Sequence, residues 1–322
     1  MDWHKFLRVD FIHVNSSHLF ELGFFQHHRS NQNFRLQKLK PALILAEKHG
    51  NKVLPTPPGY GFEELPGAES PGRGYYFSHM LNCVYDCRYC FLQGMYRSAN
   101  YVLFTNFESF ALEIKKLASN NNSRSIFYSG YDCDSLALEP VSGFCDFFLP
   151  VFAQIPQATL EIRTKSTQIR SFLEREPLLN CVIAMSFSTH AVASEMENKV
   201  PSIGKRIDAL AKLQQAGWPV ALRFEPVIGS ADTIESYQRL FDEIFRKIDS
   251  GTLHSSSLGE FRLPLQYYKR MLKLYPEEPL LARETVQTDG MVSLAAHEDD
   301  LMPHLEELLF QYVSRDGYYR CA

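Results

Sequence analysis

The sequence predicts an α/β protein built on a parallel sheet, and three observations carry this reading. Short apolar strands alternate with helical segments six times between residues 75 and 258. Two of the strands alternate apolar with charged or small residues: Leu160 and Ile162 against Glu161, Arg163 and Lys165, then Val220, Leu222 and Phe224 against Ala221, Arg223 and Glu225. The first strand runs directly into a loop holding three cysteines, Cys83-Val-Tyr-Asp-Cys87-Arg-Tyr-Cys90.

Residues 1–70 read as an N-terminal extension. Within it, 34–49 has helical spacing and carries Arg35, Lys38, Lys40 and Lys48, a solvated face or alternatively one turned to phosphate. Pro55-Thr-Pro-Pro-Gly-Tyr-Gly is a turn-rich linker, and the chain stays loop-like to Gly74. Residues 75–81 form the first strand. Asn106 stands where it can cap a helix whose Phe107, Phe110, Ile114 and Leu117 recur at helical spacing. Further strands are expected at 125–130, 159–165, 181–188, 219–226 and 252–258. Between them lie helical stretches at 141–152, 168–175 and 201–216, the last ended by Gly217. Asp232 and Glu235 have capping-box spacing at the head of another helix. Residues 71–260 thus hold the sheet, and 261–322 form a C-terminal, largely helical segment. In it Leu265, Tyr268, Leu272 and Tyr275 read as an inward face, 298–313 as a closing helix, and Cys321 as an inert tail residue.

The apolar strand faces must meet the helices, so the charged faces line the interior of the curled sheet. A charged interior is costly unless something polar compensates it. A zwitterionic ligand would do so, and so would an internal ion pair such as Arg163 with Glu225. The remaining composition is ordinary: 322 residues, 45% hydrophobic, 22% charged, seven irregularly placed cysteines and a formal net charge of −4. The balance argues against strong non-specific nucleic-acid binding, while leaving room for a local basic groove. Met1-Asp-Trp-His-Lys has no apolar run of a secretory signal, and no stretch has the length to span a bilayer. A cytoplasmic protein with reduced thiols is the expectation.

The Cys-x3-Cys-x2-Cys spacing at Cys83, Cys87 and Cys90 suits three corners of a cubane iron–sulfur cluster. No fourth cysteine is near, since the next is Cys133. One iron is then open to a ligand, a design for catalysis rather than for electron carriage. The alternative is a structural zinc site with His79 as the fourth ligand.

This spacing, followed by Phe91, resembles the signature of the radical S-adenosylmethionine (SAM) superfamily. Further motifs resemble the spore photoproduct lyase family from about residue 75 to 276. These are Cys87-Arg-Tyr-Cys90-Phe-Leu-Gln, Phe127-Tyr-Ser-Gly-Tyr-Asp-Cys-Asp134, Arg163-Thr-Lys165-Ser-Thr, Ser186-Phe-Ser-Thr, Glu197-Asn-Lys-Val-Pro201-Ser202 and Phe224-Glu-Pro226-Val. The resemblance implies a partial (β/α)6 barrel with active residues at the C-terminal strand ends. It implies a [4Fe-4S] cluster, SAM as cofactor, and an electron donor such as flavodoxin or ferredoxin. It also implies roles: Tyr89 against the adenosine, Asp134 on the ribose, Lys165 and Ser186 on the methionyl carboxylate. Each residue has a plainer alternative: Asp134 as a helix cap, Lys165 as a strand-end charge, Ser186 as a barrel filler.

The sequence departs from that family at three places. Tyr131 stands where the family has a radical-quenching cysteine, with Cys133 two residues later, so either is a hydrogen-donor candidate, or no such donor is needed. Phe91 replaces a relaying tyrosine and has no O–H. Glu225 replaces a small apolar residue and is a candidate contact to the SAM amino group or the substrate. Three functions follow: lyase-type repair of damaged pyrimidines in DNA; the same radical machinery on RNA or a small molecule; or a non-catalytic iron–sulfur or zinc protein that binds nucleic acid. For DNA, Arg262, Lys269, Arg270 and Lys273 are candidate phosphate contacts with Tyr267 and Tyr268 interleaved, the alternative being an ordinary amphipathic helix whose tyrosines pack inward.

Overall fold

The computed structural model describes residues 8–9, 14–15, 31–57, 60, 73–119, 124–295 and 301–321. The loop expected before Gly74 and the start of the helix expected at 298 lie largely outside them. The main sheet has eight strands, which pair in strict chain order. They are β1 (Val53–Pro55), β2 (Arg73–Phe77), β3 (Ser125–Ser129), β4 (Ala158–Thr164), β5 (Cys181–Ser186), β6 (Val220–Val227), β7 (Ser255–Glu260) and β8 (Tyr318–Cys321). Only β1 runs antiparallel to its neighbour; β2 to β8 are parallel.

Parallel neighbours need crossovers, and helices supply them on the outer face. The outward residues Leu160, Ile162, Ile183, Met185, Leu222 and Phe224 join one core with the aromatic and aliphatic faces of those helices. Phe107, Phe110 and Ile114 are buried on the helix Phe107–Ser119, as their spacing predicts. Gly217 ends the helix Ile203–Gln215 at φ +86°, a backbone region that suits glycine.

The inner face is where the charge goes. Register places Glu161 beside Tyr128 and Val182, and Arg163 beside Ala184. Arg223 lies beside Ser186 and Ser257, and Ser257 beside Tyr319. Glu161 and Arg223 are each fully buried. They form a bidentate pair, Arg223 Nε to Oε1 at 3.1 Å and Nη2 to Oε2 at 2.8 Å, and Arg163 Nε adds a third donor at 2.7 Å. Burial alone would raise the Glu161 carboxyl, yet the two guanidiniums hold it down at about 2.

Several local expectations change. The stretch 34–49 is not one helix: Asn31–Leu39 is helical, and Ala42–Glu47 is a strand parallel to Tyr101–Phe104. Pro41 disfavours helix at the residue before it, and the following apolar run finds a strand partner. Arg35 and Lys40 are exposed, as a solvated face would have them, whereas Lys38 is turned inward. Arg35 donates to the Leu274 carbonyl, and Lys38 is tied to Asp86, Gln93 and Tyr275. Asn106 does not cap with its side chain; its amide bridges Lys48 N and O instead. Asp232 makes no side-chain cap bond, and Thr233 Oγ1 accepts from Ser230 N instead. Leu272 is exposed, and Tyr268, Met271 and Leu274 form the buried face of the helix Leu265–Leu274. Cys321 is not a loose tail: it belongs to β8, which extends the sheet past the expected sixth strand.

Candidate active site: a cysteine loop over the barrel mouth

The cysteine loop leaves the short strand Met80–Leu81 and ends in the helical turn Leu92–Met95. It is held from three sides. The two-residue strand Glu197–Asn198 pairs with Asp86–Cys87, setting Glu197 opposite Cys87. Lys38 reaches in from the N-terminal helix to Asp86 and Gln93. Arg88 lies over the Tyr275 ring at 4.3 Å. The helix Leu265–Leu274 presses so closely that a Cβ on Gly94 would overlap the Tyr267 carbonyl and stand 2.8 Å from Tyr267 Cα. Arg270 fixes the same contact, donating to the Gly94 and Met95 carbonyls at 3.0 and 2.9 Å.

Cys83, Cys87 and Cys90 line one cleft of about 1080 Å³, open mouth included. The same cleft is lined by Tyr89, Tyr131, Cys133, Asp134, Lys165 and Ser186. These come from the loop and from the C-terminal ends of β3, β4 and β5, so the topology gathers residues more than a hundred positions apart. Burial raises all three thiols, Cys87 to about 12, while Lys165 pulls Cys87 and Cys90 back. A ligand cation or cluster would have to displace those protons.

The donor chemistry fits an iron–sulfur cluster better than zinc. Among the described residues, no three Cys, His, Asp or Glu side chains gather closely enough to share one metal ion. A cubane places its three thiolates on three separate irons, so it does not require such a gathering. His79 is not with the cysteines. It is fully buried against Phe144, 4.5 Å between ring centroids, and burial pushes its imidazole down to about 3.

The other expected residues divide. Asp134 is half-buried and already accepts from Leu136 N (3.0 Å), Thr164 Oγ1 (2.7 Å) and Lys165 N (2.7 Å), so it ties β3 to β4. Burial raises its carboxyl despite these bonds. The Lys165 ammonium stands over the Tyr89 ring at 5.5 Å. Burial would lower it, but Glu197 and Cys87 keep it above its ordinary value. Tyr131 is half-buried among Tyr76 (4.4 Å), Phe91 (5.4 Å) and Tyr60 (5.5 Å). Cys133 is more deeply buried, in the main core. Glu225 is not part of the cleft lining. It accepts from Ser257 and pairs with Arg163 at 3.5 Å, the internal ion pair considered from sequence.

Sequence reasoning passed over Glu197 and Arg206 as a buried pair behind the loop, and over Tyr76, and it read Lys38 only as a base on a solvated or phosphate-facing helix. Only Glu197 had a signal, as the first residue of a segment that carried the resemblance. The others come into place through packing alone.

Comparison with known proteins agrees with the geometry. The sequence model of the spore photoproduct lyase family matches residues 68–277. The spore photoproduct lyase of Bacillus subtilis (strain 168) is 20% identical over 217 residues, 66% of this chain and 64% of that protein. The chain thus spans about two thirds, strictly 64%, of the curated relative it matches. A solved cysteine-to-serine mutant of spore photoproduct lyase superposes with a TM-score of 0.75 at 14% identity, covering 98% of this chain and 99% of that one. A double mutant with bound AdoMet and dinucleoside spore photoproduct gives 0.73 at 14% identity over the same shares. These superpositions establish the fold, a curled parallel sheet of the half-barrel kind. The match to 68–277 spans the cysteine loop, the strand ends that line the cleft and the helix clamped on the loop, and by it the chain belongs to the spore photoproduct lyase family.

Proposed function

We propose that the chain is a radical SAM lyase that repairs a damaged pyrimidine pair in DNA. The observation that carries this reading is the single cleft shared by the three loop thiols, Lys165, Ser186, Asp134 and Tyr131. The relative solved with AdoMet and dinucleoside spore photoproduct supports the same assignment. Cys83, Cys87 and Cys90 would hold a [4Fe-4S] cluster, which together with SAM would supply one-electron, hydrogen-abstracting chemistry.

The chain's own residues then bind and orient. Lys165 offers a buried ammonium to the methionyl carboxylate, with the Ser186 hydroxyl beside it. Tyr89 gives the adenosine a ring face, and Asp134 keeps acceptor capacity for ribose hydroxyls. Tyr131 is the better-placed hydrogen donor: its ring meets Phe91 on the loop, whereas Cys133 is packed into the core. Glu225 is engaged by Arg163, which itself lines the cleft, and by Ser257, and would act on a ligand through Arg163. Arg262, Lys269 and Lys273 are exposed for phosphate, while Arg270 is spent on the Gly94 contact. Catalysis in the cytoplasm, with a flavodoxin- or ferredoxin-type reductant, completes the reading.

A second substrate, RNA or a small molecule, is favoured by one observation: Phe91 has no O–H for relaying hydrogen. The test uses anaerobically reconstituted protein with SAM and dithionite. 5′-Deoxyadenosine and thymidine dinucleotide are quantified with and without dinucleotide spore photoproduct. Both products together support the proposal. 5′-Deoxyadenosine without repair moves the chemistry to another substrate. Neither product, with a full cluster, refutes radical catalysis.

A further inference from the structure

Behind the cysteine loop lies a salt bridge whose side chains are each 1% exposed, Arg206 Nη2 to Glu197 Oε2 at 2.6 Å. Burying such a pair is poor value for stability, because desolvating two charges offsets most of their attraction. Arg206 Nε has no partner among the described residues. The pair's placement is informative instead. Glu197 Oε1 accepts from Ser188 Oγ at 2.8 Å and from the Tyr89 hydroxyl. Arg206 Nη1 donates to the Ser186 carbonyl at 2.8 Å. The pair therefore touches the cysteine loop and the end of β5 at once.

Lys165 stands over the face of the same Tyr89 ring, its ammonium 5.5 Å from the centroid. It forms no ion pair within 4.0 Å among the described residues, yet Glu197 is its strongest attraction and Arg206 its strongest cationic repulsion. A lone buried carboxylate here would draw Lys165 to itself. With Arg206 bound to that carboxylate, the two charges cancel, and Lys165 keeps one whole positive charge for an incoming anion.

We infer that Arg206 is a positioning residue that neutralises Glu197 and so reserves the Lys165 ammonium for the carboxylate of the cofactor. This rests on the reading of Lys165 proposed above. The local charge count sets the pattern: +1 in the native protein, 0 in Arg206→Met, +2 in Glu197→Gln and +1 in the double variant.

The experiment measures SAM affinity by equilibrium dialysis on reconstituted protein. Iron content and thermal unfolding are recorded for each variant, and the electron paramagnetic resonance change on adding SAM is read in parallel. Arg206→Met should weaken SAM binding about tenfold or more, the loss of one charge-assisted contact. Glu197→Gln should bind as tightly as the native protein or tighter. The double variant should return to within about threefold of native, since a neutral pair of similar shape replaces a buried ion pair with little loss. A merely structural role would instead weaken binding in Glu197→Gln and leave the double variant the worst of the three. That outcome overturns the inference, as does native-like binding by Arg206→Met. Should Arg206→Met fail to fold, Glu197→Gln and the double variant decide the matter by the same criteria. Native protein that carries its cluster and binds no SAM overturns the reading of Lys165, and this inference with it.

Discussion

Replacing Glu161 by glutamine removes the anion that two buried guanidiniums share. In the native protein the carboxylate receives donors at 2.7, 2.8 and 3.1 Å from Arg163 and Arg223. Its carboxyl is held at about 2 against an ordinary 4.5. At 1.36 kcal/mol per pH decade, that difference is worth about 3 kcal/mol at neutral pH. Breaking a buried pair from one side independently costs about 3–5 kcal/mol, because the partner charges are left uncompensated. Glu161→Gln should therefore lose about 3–4 kcal/mol in urea unfolding at pH 7. The pH dependence has a definite sign. A carboxyl with a depressed folded pKa contributes fully above about 4.5 and loses its contribution as pH falls toward about 2. The gap between native and variant should thus be constant from pH 7 to about 5 and close progressively below 4.5. A loss under about 1 kcal/mol at pH 7, or a gap that widens on acidification, refutes the reasoning.

Gly94→Ala should destabilise the protein by about 1–3 kcal/mol, since its Cβ meets backbone of Tyr267 rather than a movable side chain; thermal unfolding and cluster retention measure this, and an unchanged melt would contradict the close approach. Lys38→Met should loosen the N-terminal helix from the loop by removing its bonds to Gln93 and Tyr275, both 2.7 Å, read as faster proteolysis before residue 42. Unaltered cleavage kinetics would show that Arg35 holds the helix unaided. Tyr131→Phe should leave 5′-deoxyadenosine formation intact and cut dinucleotide repair about tenfold or more, with Cys133→Ala close to native; the reverse ranking would make Cys133 the donor.

The sequence alone was enough for the cysteine loop and the parallel sheet, though not for the helix expected over 34–49 or the caps expected at Asn106 and Asp232. Cysteine spacing marked the loop, because three thiols within eight residues are brought together by the local turn and need no distant partner. Two-residue alternation on β4 and β6 revealed a charged interior, because a strand's faces are set by chirality and not by context. Order of strands and helices fixed the parallel sheet, which needs a crossover for each pair. What depends on distant partners was decided only by the tertiary structure. The run Ala42–Glu47 became a strand because Tyr101–Phe104 offers it an edge, a competition that periodicity cannot foresee. Cys321 entered the sheet because β8 pairs along β7, and Glu225 meets Arg163 across the sheet. Glu197 and Arg206 are nine residues apart, and only Glu197 stands in a motif legible from the sequence. They matter only because folding sets them behind Tyr89, where burial makes a single charge strong enough to govern its neighbours.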